Sequence, residues 1–197
     1  MNFPILTFDE AKLAPSWGYV FDARWLGPCE SVVSMLWKLV WINRLAGHSV
    51  VTHVARRIVD PYVGIGTTLL EIDGKYLASV LGVRLKAVRQ SVPNPISRRT
   101  ASPVLRFCVH CMARGYHSAV HQFEGVRRCP IHATLLETHC RKCGVQNDYR
   151  IDAKILDAPF KCPNCRRPYA PSWSSFTRCR RLRVQERAAV TRVFIGC

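Results

Sequence analysis

Acidic residues are scarce in this sequence of 197 residues. Its 13 Asp and Glu stand against 29 Lys and Arg, so the formal net charge is +16. The excess is larger in the second half, where residues 101–197 carry 17 Lys and Arg against 6 Asp and Glu. Each nucleic-acid phosphate that a cation neutralises releases condensed counterions, whereas an acidic small molecule does not need charge on this scale. The composition favours a polyanionic partner, and a merely soluble basic surface is the alternative.

Segments that enter or cross a membrane are also missing. The longest apolar run, residues 32–42, has 11 residues and is interrupted by Lys38, whereas a membrane-spanning helix needs about 20 apolar residues. The first residues lack the basic stretch and apolar stretch of a secretory signal. We therefore expect a cytoplasmic protein with no membrane partner. Thiols stay reduced in that compartment, so its ten cysteines favour metal over disulfides.

Catalytic signatures are not found either. No paired carboxylates and no nucleophile motif occur in the sequence. His117 and His121 are four residues apart, the spacing of a metal-binding pair on a helix, but the glutamate of an H-E-x-x-H motif is missing between them. A small zinc nuclease would have to use one of these histidines as its base. We predict that the protein is not an enzyme.

The first half of the chain has the periodicity of helices. Apolar residues recur at helical spacing over residues 28–47, with Gly47 as the expected end of the helix, and a second helix is expected over residues 49–60. Trp37 and Trp41 lie one turn apart on a neighbouring face. Because Trp is enriched at binding hot spots, we expect this face to contact a protein partner. Packing in the core is the alternative.

A helix-turn-helix is predicted over residues 73–91. Ala78, Gly82 and Val88 occupy relative positions 5, 9 and 15 of such a motif, where a small residue, a turn glycine and an apolar packing residue belong. The second helix would present cations and an amide to phosphates or base edges. The DNA-binding residues predicted here and in the Arg-rich tail are Arg84, Lys86, Arg89, Gln90, Arg180, Arg181 and Arg183. A helical hairpin that serves only for packing is the alternative.

Four close pairs of Cys and His residues occur in series between residues 108 and 165. The first set is Cys108, Cys111, Cys129 and His132, with 17 residues between its pairs, and the second is Cys140, Cys143, Cys162 and Cys165, with 18 residues between its pairs. Two close pairs supply the four soft or borderline donors of a tetrahedral zinc ion. Each set is closed by four protein ligands, so we predict two structural zinc ions per chain, with Cys29, Cys179 and Cys197 outside both sites.

These features predict a mostly α-helical N-terminal part with a helix-turn-helix, followed by two small zinc-binding modules of the ribbon or treble-clef kind and a basic helical tail. The expected divisions are an irregular lead-in at 1–27, a helical domain at 28–92, a linker at 93–104, zinc modules at 105–139 and 140–171, and the Arg-rich tail at 172–197. If the modules are separate, removing zinc unfolds residues 105–168 and leaves the N-terminal helices partly formed.

The motifs also carry a resemblance. The segments "PCESVVSMLWKLVWINRLAG", "LASVLGV" and "LRFCVHCMARGYHSAVHQFEGVRRCPIHATLLETHCRKCG" together resemble the TniQ family of transposon target-selection proteins. The resemblance covers roughly residues 28–168 and is most specific at 105–144. It implies the same eight zinc ligands, an N-terminal helix-turn-helix part, and in many members a further helical region after the second zinc module.

The resemblance implies a non-enzymatic adaptor that binds DNA and links target recognition to an AAA+ ATPase and a transposase. It places the protein at the nucleoid of a bacterium, with an RNA-guided or other targeting complex as a further partner. A zinc-dependent transcriptional regulator with the same helix-turn-helix is the alternative.

Overall fold

Short α-helices form the regular structure of this computed structural model, which describes residues 18–92, 101–171 and 181–196. In these ranges the helices are α1 (Val32–Asn43), α2 (Gly47–Val54), α3 (Gly74–Val80), α4 (Leu85–Arg89), α5 (Val109–Ala113), α6 (Ala153–Leu156) and α7 (Val184–Gly196), with short 3-10 helices at Ala23–Trp25 and Ala119–Gln122. Extended segments within these ranges pair only through isolated antiparallel bridges. None of the helices found there is both long and apolar enough to span a lipid bilayer.

Part of what the sequence predicts falls outside the described residues. This holds for most of the lead-in, for residues 93–100 of the linker, and for Cys179, Arg180 and Cys197.

Helix α1 lies at the centre of the fold. The Ser31 side chain caps it by accepting a hydrogen bond from the Ser34 amide at 3.1 Å, and the helix ends where Arg44 turns into the left-handed region with φ of 54°. All residues from Val32 to Val40 are buried. A helix that is apolar on every side packs inside a core rather than against its surface, so α1 is covered by other segments all round.

Gly47 begins α2 and does not end α1 as the sequence analysis expected. A Cβ atom at this position would lie 2.6 Å from the Ala153 carbonyl oxygen, and the Gly47 amide donates to the Asp157 carboxylate at 2.6 Å. The glycine is therefore required by the close approach of α6. Helix α2 is also shorter than expected, because Ala55 leaves the helix to form an antiparallel bridge with Ile72.

Helices α3 and α4 pack against each other across a tight turn. Gly82 lies in this turn with φ of 60°, a conformation that a side chain disfavours. Ala78 on α3 and Val88 on α4 are both buried, whereas Arg84 at the start of α4 is exposed. The small residue, the turn glycine and the apolar residue thus occupy the places that the sequence pattern requires.

The helical segment and the Cys-rich segment share one hydrophobic core. Its buried members include Leu36 of α1, Phe107 near the first Cys pair, and Leu156 and Phe160 before the fourth pair of the series. The Trp37 ring packs on the Phe160 ring with centroids 4.9 Å apart. The helical domain and both zinc modules therefore contribute to one core in the described part of the chain, although Cys108, Cys111 and Cys129 pack with Tyr116 and Leu182 in a separate, smaller cluster.

Trp37 is fully buried, which corrects its assignment to a partner-facing surface. Its indole N–H donates to the Ile155 carbonyl oxygen at 2.7 Å, so the side chain belongs to the contact between α1 and α6. Trp41 is half-buried. The Arg44 guanidinium carbon and the Lys161 ammonium nitrogen lie 5.6 and 5.5 Å from its ring centroid, within reach of a cation–π interaction.

We expect Trp37→Ala to lower the free energy of unfolding by about 3–5 kcal/mol, the range for truncating a buried aromatic side chain. Trp41→Ala removes a partly exposed ring of the same helix and is the matched control, with an expected loss below about 2 kcal/mol because part of its surface is already in water. Urea denaturation followed by far-UV circular dichroism measures both. Equal losses in the two variants would contradict the burial of Trp37.

Candidate metal centres

The eight predicted ligands come together as two groups of four. Cys108, Cys111, Cys129 and His132 form the first cluster, and Cys140, Cys143, Cys162 and Cys165 form the second; within each cluster the potential ligand atoms all lie within 4.8 Å of one another. The structure thus confirms two clusters that could bind metal, with the membership that the spacing predicts. Cys29 lies in neither cluster.

Distances in the first cluster fit a tetrahedral ion. The His132 Nδ1 atom lies 3.4 Å from the sulfurs of Cys108 and Cys111 and 3.6 Å from that of Cys129, and the Cys111 and Cys129 sulfurs are 3.6 Å apart. Zinc bonded tetrahedrally at about 2.3 Å to sulfur and 2.0–2.1 Å to nitrogen places two sulfurs about 3.8 Å apart and sulfur and nitrogen about 3.5 Å apart. The observed spacings match these edges.

The second cluster fits equally well. Its Cys140–Cys165 and Cys143–Cys162 sulfur pairs are both 3.7 Å apart. A disulfide requires about 2.05 Å between sulfurs, so these thiols are not bonded to each other. Four thiolates at these distances are typical of a closed structural zinc site, which leaves no coordination position for a substrate.

Three of the four ligand pairs adopt the same type of backbone turn. In the turn at Cys140, the Gly144 amide donates to the Cys140 carbonyl at 2.8 Å, and the Cys140 amide donates to the Val145 carbonyl at 2.9 Å. The same two bonds recur in the turns that begin at Cys129 and Cys162. Each turn contains one left-handed residue, which is Gly144 in one case and Ala133 and Arg166 in the others. The sequence therefore indicates the left-handed position only in the turn that has glycine there, and not in the other two turns.

The remaining ligand pair begins a helix. Cys108 precedes α5 and Cys111 lies in its first turn, so helical geometry brings the two sulfurs to one side. Both residues are almost completely buried, at 0% and 1% exposure. The three sulfurs of the first cluster are therefore enclosed by protein and only His132 is partly exposed, whereas Cys143 and Cys165 of the second cluster are partly exposed.

Hydrogen-bond donors surround the sulfurs of both clusters. The Thr134 hydroxyl lies 3.4 Å from the Cys108 sulfur, and the side-chain amides of Asn147 and Asn164 lie 3.8 and 3.6 Å from the sulfurs of Cys162 and Cys143. Such outer contacts orient metal ligands and stabilise thiolates. The sequence analysis did not identify these three residues, although Asn164 lies inside the last Cys pair and Thr134 lies two residues after His132.

Hydrogen bonding between neighbouring sulfurs governs the protonation of the first cluster. Hydrogen bonding to the Cys108 thiolate raises the pKa of Cys129 to about 11, and the same contact raises the pKa of Cys111 well above its usual value. Three thiolates therefore cannot share this buried site unless a cation neutralises them. A divalent metal supplies that charge.

The histidines outside the clusters are not metal ligands in this structure. His117 is buried, and its ring nitrogens contact the Ser31 hydroxyl at 2.7 Å and the Arg106 carbonyl at 2.8 Å. Burial lowers its pKa to about 4, so it is neutral. His121 is equally buried, but among the described residues neither of its ring nitrogens has a hydrogen-bond partner. Neither ring is exposed to a substrate.

Cys29, which belongs to neither metal cluster, is a buried thiol. It is 6% exposed, and burial raises its pKa to about 11. Since the thiolate is the reactive form, this thiol is protected in the folded protein.

We expect two zinc ions per chain in freshly reduced protein. Cys165→Ala should reduce the content to one, and Cys29→Ala, which removes a buried thiol outside both clusters, should leave it at two. Because Cys140 and Cys162 of the second cluster share a core with α1, removing zinc with a chelator should also reduce the helical signal in circular dichroism. Elemental analysis and circular dichroism on the same samples test this, and intact helicity after complete zinc loss would contradict the shared core.

No known family model matches this chain, and no curated protein matches it. The resemblance to the TniQ family therefore stays a prediction from the motifs. The metal clusters and the distribution of surface charge are the structural basis for a functional proposal.

Proposed function

We propose that this protein is a non-enzymatic adaptor in DNA transposition that binds DNA and links target recognition to an AAA+ ATPase and a transposase. The observation that carries the DNA-binding part is the set of exposed cations on α4, namely Arg84, Lys86 and Arg89. The link to the ATPase comes from the resemblance of the motifs to the TniQ family.

Helix α4 holds its cations outward because its opposite face is anchored. Val88 is fully buried between the exposed Lys86 and Arg89, and α4 packs on α3. This arrangement supports the helix-turn-helix interpretation, in which the second helix contacts DNA. Gln90 is half-buried and ends the helix, so it is a weaker candidate for contact with bases.

The metal clusters support a structural role rather than a catalytic one. Each contains four protein donors, and a catalytic zinc keeps one position for water or substrate. Binding of a structural zinc ion contributes roughly 10–16 kcal/mol of apparent free energy to folding. In this proposal the zinc-binding modules, of the ribbon or treble-clef kind, hold the DNA-contacting surfaces in place.

A protein partner needs exposed apolar surface that the core does not use. Trp37 cannot supply it, since it is fully buried. The loop between α2 and α3 is the better candidate, because Ile58, Tyr62, Val63 and Leu70 are all exposed on it, Ile58 completely and Leu70 at 75%. We assign this loop, together with the half-buried Trp41, to contact with the ATPase.

Duplex DNA should bind with an affinity that falls steeply as salt rises, with a slope of roughly 0.9 per phosphate contact in a plot of log K against log salt. Changing Arg84, Lys86 and Arg89 together to Gln should lower the affinity and reduce this slope by up to about 3. The control changes three exposed cations of the second metal module, Lys142, Lys154 and Arg167, to Gln. Fluorescence anisotropy measures both, and equal losses would show that α4 has no special role.

The AAA+ ATPase of the same transposon should be retained by the immobilised protein. Ile58→Ser combined with Leu70→Ser should weaken this binding by roughly tenfold, the effect of losing contacts worth about 1.4 kcal/mol. Leu135→Ser combined with Val184→Ser removes exposed apolar side chains elsewhere and should have no effect. Sequence-specific DNA binding without any retention of the ATPase would favour the transcriptional regulator instead.

A further inference from the structure

A small cleft with an unusual concentration of positive charge lies where three distant segments meet. Its walls contain the cations Arg24, Lys38, Arg114, Arg181 and Arg187, and no carboxylate of the described residues lines it. Apolar surface comes from Trp25, Tyr116 and Leu182. We call it the basic cleft. Its volume is about 80 Å³.

The charges of the basic cleft are only partly balanced. Arg24, Lys38 and Arg114 form ion pairs with Asp22, Glu30 and Glu186 at 2.6, 2.5 and 2.7 Å. Arg181 and Arg187 form no ion pair within the described part of the chain, and both are exposed at the rim. The cleft therefore keeps an excess of positive charge after its internal pairs are counted.

Lys38 places a cation in the wall of the cleft where water is largely excluded. Its side chain is 3% exposed, and its ammonium group donates to the Glu30 carboxylate and to the Trp25 carbonyl at 2.7 Å. An ammonium group has three N–H donors, so one remains for a ligand in the cleft. Electrostatic attraction is stronger at such a position than in bulk water, because the local dielectric is lower.

Arg114 holds the rim in place. Its guanidinium donates to the Arg181 carbonyl at 3.0 Å and pairs with Glu186 of α7, whose carboxylate also accepts the Arg183 amide at 2.6 Å. Leu182 is buried against Tyr116 and the first metal cluster. The two exposed arginines of the rim are thus carried by an anchored segment, which makes the basic cleft a built site.

We propose that the basic cleft binds a phosphate group of the DNA backbone. Arg side chains form charge-assisted, forked hydrogen bonds with phosphate oxygens, and several cations converge here. The volume exceeds the roughly 10–15 Å³ that one water needs but is far below the roughly 300 Å³ of pockets that enclose whole small molecules. One phosphate group attached to a larger polymer outside fits this size. The assignment of this phosphate group to DNA rests on the proposed function.

The test compares two charge-matched double variants of the full-length, zinc-loaded chain. Arg181→Gln with Arg187→Gln removes the two rim cations, whereas Arg127→Gln with Arg192→Gln removes two exposed cations that neither line the cleft nor belong to the predicted DNA-binding residues. Zinc content and circular dichroism establish that both are folded. Binding of a short DNA duplex is then measured by fluorescence anisotropy from 0.05 to 0.2 M salt.

One phosphate contact accounts for about a 3.5-fold fall in affinity across this salt range. The factor by which the affinity falls between 0.05 and 0.2 M salt should therefore be about 3.5 times smaller for the cleft variant than for the wild type. The control variant should behave like the wild type. A second arm measures the shift in melting temperature with inorganic phosphate against chloride at equal ionic strength. If phosphate raises the melting temperature of the wild type and the control but not of the cleft variant, and DNA binding is the same in both variants, the ligand of the cleft is free phosphate rather than the DNA backbone.

Equal behaviour of the two variants in both arms overturns the proposal. The two proposals can fail separately. Wild-type protein that binds no duplex DNA contradicts the adaptor function, and the inorganic phosphate arm still decides whether the basic cleft is an anion site. Wild-type protein that binds DNA, with neither arm sensitive to the cleft variant, leaves the adaptor function intact and removes the cleft from it.

Discussion

The complete burial of helix α1 is the constraint on which the rest of this fold depends. From Val32 to Val40 no side of the helix faces solvent, so other segments of the chain must cover it. Trp37 of α1 is fixed by the Ile155 carbonyl next to the second metal cluster. Ser31 at the start of α1 is fixed by His117, which lies between the two ligand pairs of the first cluster. Each metal cluster thus lies next to a segment that closes one side of α1.

This arrangement links metal binding to the helical core. The turns that hold the sulfurs contribute few apolar side chains of their own. The segments next to these turns contain Phe107, Leu156 and Phe160, which belong to the same core as α1. A divalent ion offsets the repulsion among the thiolates, and its binding free energy becomes folding free energy. With zinc bound as proposed, that energy would stabilise the shared core and, through α3, the surface that α4 presents.

The ligand sets could be predicted from the sequence because they depend on local spacing. A Cys pair with two residues between its members can close on one ion in any fold, so membership follows from order along the chain. The pattern of Ala78, Gly82 and Val88 also depends only on the spacing of residues that are close together in the sequence. The surroundings of Trp37, Gly47 and Cys29 could not be predicted, since α6 approaches Gly47 from more than 100 residues away, with the Gly47 amide bonded to Asp157.

The basic cleft is another feature that could not be predicted from the sequence, since its cations come from segments far apart in the chain. It also answers a difficulty in the DNA-binding proposal. Helix α4 has five residues, about 7.5 Å at a rise of 1.5 Å per residue, so it can bring only a few side chains to base edges. Contacts to phosphates fix the register and orientation of a protein on the duplex, whereas contacts to bases carry the sequence information. A short recognition helix therefore needs a separate anchor on the backbone. A rigid cationic cleft that accepts one phosphate is suited to that role.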